Sequence, residues 1–419
     1  MACALQRLQG LRRPPPYIFQ AKQSLSASPT HPNRLAAFSS AGQTASTAGL
    51  SDRLIHVARL ITWLPAGGIE RRLAALLPRL NQPPFRVSVV CLRERGPLAD
   101  ALEAAGVPVT LIALRSRLDP RGIRALAQWL REQRVDLVHA HMYRSNVPGA
   151  IAARWAGVRR VLCQVHNIDT WETRRQRWMD RFLLRWRTAM IAVSEEVKRD
   201  VVANLRCPPE KVRVLYNGID LSEYGTAEPS PALRRELGVP EGARVVVMLA
   251  RLVEQKRHTR LLQALEAIRR ELPPTRLLLV GDGKLRAALE AEVRRRGLDD
   301  LVTFTGHRTD IPAILALADL SVLTSDREGF SNAIVESLAA GVPVVATDVG
   351  GNAEAIVDGE SGLLVQPDDL PALAEGLRSL LRNEARRGEM SRAARERARL
   401  FSLDRMLDET RKLYLDLLK

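Results

Sequence analysis

From residue 54 onward, short apolar runs of strand length alternate with longer stretches at helical spacing, the pattern of parallel βαβ units. The pattern occurs twice. The first series has strand-length runs at 54–58, 86–91, 107–112, 135–140, 160–165, 189–193 and 212–215. The second has them at 244–250, 275–280, 301–305, 320–324, 343–347 and 362–365. Within the first series, residues 69–80, 121–134 and 147–155 carry the periodicity of helices that cover the faces of a sheet. Two α/β domains are predicted, each a doubly wound parallel sheet resembling the Rossmann arrangement, facing each other across a cleft. Such sheets bind ligands beyond the carboxyl ends of their strands, so the informative loops are those that follow strands.

The boundaries follow from composition. Residues 1–52 read as a tail, 53–220 as the first domain, 221–242 as a linker containing Gly225, Pro229, Pro231, Pro240 and Gly242, and 243–400 as the second domain. In 401–419 the stripe Leu403, Leu407, Tyr414 and Leu417 predicts a helix whose apolar side needs a partner, supplied by the first domain. In the tail, five basic residues (Arg7, Arg12, Arg13, Lys22 and Arg34) precede the first acidic one, Asp52, among many Ser, Ala and Pro. That composition fits either an organelle-targeting segment or a disordered tail.

At 419 residues and 46% hydrophobic content the chain has enough apolar side chains for two cores, which excludes a peptide module and global disorder. Its net charge of +16 attracts polyanions, and most of the basic residues are Arg, whose fork matches phosphate. No motif for reading nucleic acid accompanies the charge and aromatics are only 4%, so no nucleic-acid partner is expected. Cys3, Cys91, Cys163 and Cys207 are far apart, against a zinc or disulfide framework and in favour of a reducing compartment. No run approaches the roughly 18 uncharged apolar residues of a spanning helix.

Three loops after strands could carry chemistry. Gly67-Gly68 lies between the first strand and a helix, where paired glycines serve either a tight turn or close approach to an anion at the helix amides. Arg251 and Lys256 flank the turn after the first strand of the second domain; they fit the two phosphates of a nucleoside diphosphate, or simply a solvated basic turn. The run Glu328-Gly-Phe-Ser-Asn-Ala-Ile-Val-Glu336 follows a strand. Its two glutamates are too far apart for a hydrogen-bonded dyad. They fit the two ends of a nucleotide sugar, with the amides of Phe330, Ser331 and Asn332 between, or else a dipole-complementing and a solvated residue.

That run, followed by Ala-Ala-Gly-Val-Pro, resembles the signature of the family-4 retaining glycosyltransferases of GT-B fold. Six further segments are similar to that family's landmarks and occur in its order: Gly67-Gly68, His139-Ala140-His141, Val193-Ser194-Glu195-Glu196-Val197, Asn217-Gly218-Ile219-Asp220, Arg251 to Lys256, and Val280-Gly281-Asp282-Gly283. The resemblance implies transfer of a sugar from a UDP- or GDP-sugar to a hydroxyl of a glycan or lipid-linked acceptor, in cell-surface polysaccharide or glycolipid synthesis. It implies that Arg251 and Lys256 grip the donor diphosphate, Glu328 meets hydroxyls of the transferred sugar, and Glu336 takes the ribose. The amides of Phe330, Ser331 and Asn332 would complete the pocket, His307 would lie in the loop that meets the nucleobase, and Gly67 and Gly68 would approach the diphosphate from the other domain. His141 would stand near the reacting carbon, while His139 and His166 fit either structural roles or the site lining. No metal ligand and no cofactor are expected, because the basic pair can replace a divalent cation. An epimerase or hydrolase of nucleotide sugars on the same fold is the alternative, and the paired glutamates argue against it.

Trp171, Trp178, Phe182 and Trp186 share a segment with six arginines. Such a helix either packs its apolar face on its own sheet, with the arginines in solvent, or rests on anionic lipid. The protein is expected to be cytoplasmic, with a peripheral contact at the inner membrane face under the second alternative.

Overall fold

The computed structural model describes residues 53–64, 68–168, 173–225 and 227–419. The readings placed on 1–52, on Gly67 and on Trp171 lie outside the described residues.

Among the described residues, thirteen strands form two all-parallel sheets. The first sheet contains β1 (Ile55–Ile61), β2 (Phe85–Cys91), β3 (Val109–Leu111), β4 (Leu137–His141), β5 (Arg160–Val165), β6 (Ala189–Ala192) and β7 (Val212–Val214), in the order β3-β2-β1-β4-β5-β6-β7. The second contains β8 (Arg244–Leu249), β9 (Thr275–Val280), β10 (Val302–Gly306), β11 (Leu320–Leu323), β12 (Val344–Thr347) and β13 (Gly362–Val365), in the order β10-β9-β8-β11-β12-β13. Every apolar run read as a strand is one. The inner strands are buried on both faces, as β1 is along its whole length, and this is why they read as unbroken apolar runs. One helix is longer than its periodicity predicts: Met142–Ala156 begins immediately after β4 and carries Pro148 inside it. Tyr143, Ser145 and Asn146 are buried in its first turns, so tertiary packing overrides the break that Pro148 signals.

The last helix, Leu403–Leu418, lies against the first sheet, where Leu403, Met406, Leu407 and Tyr414 join a core cluster with Val57, Leu76, Val87 and Leu137. Each such fully buried side chain contributes about 1.5–3 kcal/mol. Its entry is fixed by the Asn217-Gly218-Ile219 segment. Leu403 N donates to Ile219 O at 2.7 Å, and a Cβ on Gly218 would stand 2.5 Å from Ser402 O. Cys91, Cys163 and Cys207 are free and buried. Among the described residues, no helix is long and apolar enough to cross a membrane.

Candidate functional site

In the second sheet β8 and β11 are neighbours while β9 lies on the far side of β8, so the order reverses there and the loops after β8 and β11 emerge side by side. Hydrogen bonds tie these loops together. Thr324 Oγ1 donates to the carbonyls of Lys256 and Arg257 at 3.0 Å, Gln255 Nε2 donates to Arg327 O at 2.8 Å, and Asp326 N donates to Gln255 O at 2.9 Å. The result is an ion pair between Lys256 Nζ and Glu328 Oε1, to which Ser325 Oγ also donates at 2.6 Å. Glu328 is only 7% exposed, so this carboxylate is far more enclosed than a loop position predicts. Arg251 is exposed, and no hydrogen bond or ion pair among the described residues holds its guanidinium.

Glycine fixes the Glu328 loop from beneath. Gly350 has a φ of 54°, and a Cβ there would lie 1.7 Å from Glu328 O. The helix Asn332–Ala339 then begins, with Ser331 as its N-cap accepting from Ile334 N at 3.4 Å. Amides of a first helical turn have no partner inside the helix and point at whatever precedes it. The Phe330 ring turns away into an aromatic cluster, 5.3 Å from Tyr216 and 5.1 Å from Phe401 between ring centroids, which leaves only its backbone to face the cleft. Glu336 lies on that helix, part-buried. Burial pushes its carboxyl up to about 7; Arg71 opposes the shift and Glu223 adds to it. His307, after β10, is exposed, and beside it Arg308 is tied to Asp310 and Glu236 at 2.6 Å.

The first sheet offers its own reversal between β1 and β4. Gly68 opens the helix Gly68–Leu80 that follows β1. At the end of β4, His139 and His141 stack with centroids 4.6 Å apart and planes 10° apart, and His141 Nδ1 lies 3.1 Å from His166 Nε2. Met142, the next residue, has a φ of 66°, a left-handed conformation that a side-chain-bearing residue adopts only when its surroundings impose it. All three imidazoles are held well below their usual pKa. Burial is the main cause; Arg59 is the next for His139 and His141, and Arg72 for His166. They are neutral at pH 7 and act as hydrogen-bonding groups.

The two sheets meet at the Glu328 loop. A Cβ on Gly329 would stand 2.1 Å from His166 O, and Ser194 Oγ donates to Gly329 O at 2.7 Å. Asn332 Oδ1 accepts from Asn217 Nδ2 at 2.9 Å and from Arg72 Nη1 at 3.4 Å. Glu354 accepts from the amides of Glu195 and Glu196 at 2.8 and 2.9 Å, at the start of the Glu195–Leu205 helix.

Lys256, Glu328, the 330–332 segment and the histidines are thus gathered at the facing edges of the two sheets. His139 and His166 belong to one stack with His141. Sequence reasoning missed Arg72, Ser194, Asn217 and Glu354 as individual contacts. The dibasic pair Arg71-Arg72 just after the glycines was the available signal for the first, and Glu354 had none. Among the described residues, no group of three or more His, Cys, Asp or Glu is placed to hold a metal ion.

The basic aromatic segment meets the expectation of inward packing only in part: Leu183, Met179 and Trp186 pack against Tyr143 and Val147 of the Met142–Ala156 helix rather than on the sheet itself. In the Arg174–Leu183 helix the inward residues are Asp180 and Leu183, while Trp178 is 67% and Phe182 41% exposed. Asp180 is drawn inward because it pairs with the buried Arg187. The outer rings stack on each other at 5.9 Å, with Arg185 3.5 Å above Phe182.

The family profile described as "Glycosyltransferase Family 4" matches residues 66–223, and the one described as "Glycosyl transferases group 1" matches residues 229–397. The chain is similar to the UDP-Gal:alpha-D-GlcNAc-diphosphoundecaprenol alpha-1,3-galactosyltransferase of Escherichia coli, 27% identical over 84% of this chain and 94% of that one. It is also similar to the D-inositol 3-phosphate glycosyltransferase of Arthrobacter sp. (strain FB24), 30% identical over 65% of this chain and 68% of that one. Among solved structures it resembles Anabaena HepE in complex with UDP and glucose, with a TM-score of 0.76 and 26% identity over 86% of this chain and 100% of that one.

Proposed function

The chain belongs to the family-4 glycosyltransferases, of GT-B fold, and on that premise we propose that it moves a sugar with retention of configuration, without a metal ion, from a UDP- or GDP-sugar to a hydroxyl of a glycan or lipid-linked acceptor in polysaccharide or glycolipid synthesis. The observation that carries this reading is the Lys256–Glu328 pair beside the Asn332 helix start, opposite His141 and His166. UDP is the first nucleotide to test, because HepE is described with UDP and the Escherichia coli relative by its UDP-galactose donor.

On this reading Arg251 and Lys256 hold the diphosphate, and the amides of 330–332 meet it at the helix N-terminus. Glu328 has Oε1 occupied by Lys256 and Ser325, so it accepts sugar hydroxyls through Oε2 and is poorly disposed to attack carbon. Retention then follows from a front-face displacement. The bond from the anomeric carbon to the phosphate oxygen breaks as the acceptor oxygen bonds to the same face, and the acceptor's proton passes to the departing phosphate oxygen. The cations stabilise the negative charge that develops on that phosphate, the work a divalent ion does elsewhere. His141 orients hydroxyls. His307 and its loop receive the base, and Gly67 and Gly68 close on the diphosphate from the first domain. The test is a panel of UDP- and GDP-sugars with lipid-linked and glycan acceptors, run with and without a chelator, with the product anomer read by NMR. Transfer with retention at an unchanged rate in chelator is expected; inversion, or a rate abolished by chelator, would overturn the mechanism.

Glu336 gives this reading a pH signature. Ribose hydroxyls are best held by the ionised carboxylate, so nucleotide affinity should rise as pH increases through about 7, and Glu336→Gln should flatten that rise. The folded-state pKa is raised from 4.5, so this group's contribution to stability is full below 4.5 and lost as pH climbs through about 7. Calorimetric titration of UDP or GDP between pH 6 and 8 checks it; identical pH profiles in the wild type and Glu336→Gln would remove the assignment.

We place the protein in the cytoplasm, in peripheral contact with an anionic membrane face. The exposed Trp178 and Phe182, among arginines, support this contact. Sedimentation with anionic vesicles that weakens with salt, and that Trp178→Ala reduces, is the expected result. Equal recovery with zwitterionic vesicles would contradict it.

A further inference from the structure

Beneath the stacked histidines lies a buried polar cluster that the reading above does not use. Arg59, on β1, is 2% exposed, and among the described residues no carboxylate pairs with it. Its Nη1 reaches His139 Nδ1 at 2.5 Å and the hydroxyl of Tyr414, a fully buried residue of the last helix. The Tyr414 hydroxyl is itself 2.7 Å from His139 Nδ1, and its ring meets His139 edge-on at 5.8 Å. A guanidinium only donates, and the phenol can donate as well, so Nδ1 of His139 is the acceptor and its proton sits on Nε2. The ring thus fixed is the one on which His141 stacks. His141 has two restraints on its plane, that stack and the contact with His166, and its Nε2 is buried without a partner among the described residues.

We propose that Tyr414 is a positioning residue for His141, acting through Arg59 and His139. A role limited to packing would need only the ring, which already meets Phe85 edge-on at 5.7 Å. The hydroxyl is what accepts from an otherwise poorly satisfied buried guanidinium and, together with it, fixes where the His139 ring stands. The last helix is continuous in sequence with the helices on the second sheet, so it brings into the first sheet a group that the local sequence around His141 does not supply. The inference rests on the reading of His141 as a group that orients substrate hydroxyls.

Tyr414→Phe keeps the ring and removes the hydroxyl. It should lower kcat about five- to tenfold, the worth of one buried hydrogen bond, while the donor KM changes less than about twofold. In a His141→Ala background the same substitution should change kcat by less than about twofold, because the group it acts through is gone. Imidazole nitrogen NMR should show His139 protonated at Nε2 in both the wild type and Tyr414→Phe, since Arg59 alone keeps Nδ1 an acceptor, with the His139 Nδ1 and His141 nitrogen shifts displaced in Tyr414→Phe. An unchanged kcat in Tyr414→Phe, an equal loss in both backgrounds, or unchanged His139 and His141 nitrogen shifts would each overturn the inference. A His141→Ala variant at wild-type rate would instead remove the assigned role of His141, and the NMR result would still decide whether Tyr414 holds His139.

Discussion

Lys256→Ala should lower turnover by about a hundredfold or more, as expected when one preorganised donor to a developing charge is removed. The loss has two sources that a second variant separates. Side chains of Lys256 and Glu328 are only 14% and 10% exposed, so removing the ammonium leaves a partly buried carboxylate with Ser325 as its remaining donor. Leaving one member of such a pair alone destabilises by roughly 1–3 kcal/mol. Lys256→Ala with Glu328→Gln should regain that stability in a thermal melt without regaining turnover. Wild-type rates in Lys256→Ala, or recovery of turnover in the double variant, would show that the ammonium does not act on the donor.

The second large effect is steric. Gly329→Ala would put a Cβ 2.1 Å from His166 O and 2.8 Å from His166 C, and both are backbone atoms that cannot swing aside. The Glu328 loop and the first sheet must therefore separate by a sizeable fraction of an ångström or more. A misplacement of about 1 Å between reacting groups is enough for a hundredfold loss. Because the nucleotide is assigned to the second sheet, UDP or GDP affinity should change little while kcat falls by about that factor. A variant with normal kcat would mean that the contact between Gly329 and His166 does not set the site.

Much of the architecture was legible because a strand buried on both faces has to be a short apolar run. All thirteen were, and their ends drift by a few residues, for example where polar residues such as Arg59 and His141 continue a strand. In the site, the loops after β8 and β11 could be found because Gly329, the glutamates and the basic pair lie within local motifs. What sequence could not show is which groups touch across long separations. Lys256 and Glu328 are 72 positions apart and looked like independent groups, one for phosphate and one for sugar. Arg59 and Tyr414 are 355 apart, and Tyr414 carried only the signal of an apolar stripe. Glu354 had no signal at all, since a lone glutamate in a short helix is usually solvated. The aromatic segment divides: Met179, Leu183 and Trp186 form the inward face, joined by Asp180 in its pair with the buried Arg187, and Trp178 and Phe182 are left outside, a split that periodicity alone does not resolve.

The most direct measurement is the position of a bound nucleoside diphosphate, from crystals grown or soaked with UDP and, separately, GDP. The account predicts phosphate oxygens within about 3 Å of Arg251 and Lys256, at the start of the Asn332 helix, and the ribose at Glu336. A diphosphate held anywhere else on the protein, with those cations still facing solvent and Glu328, would contradict it.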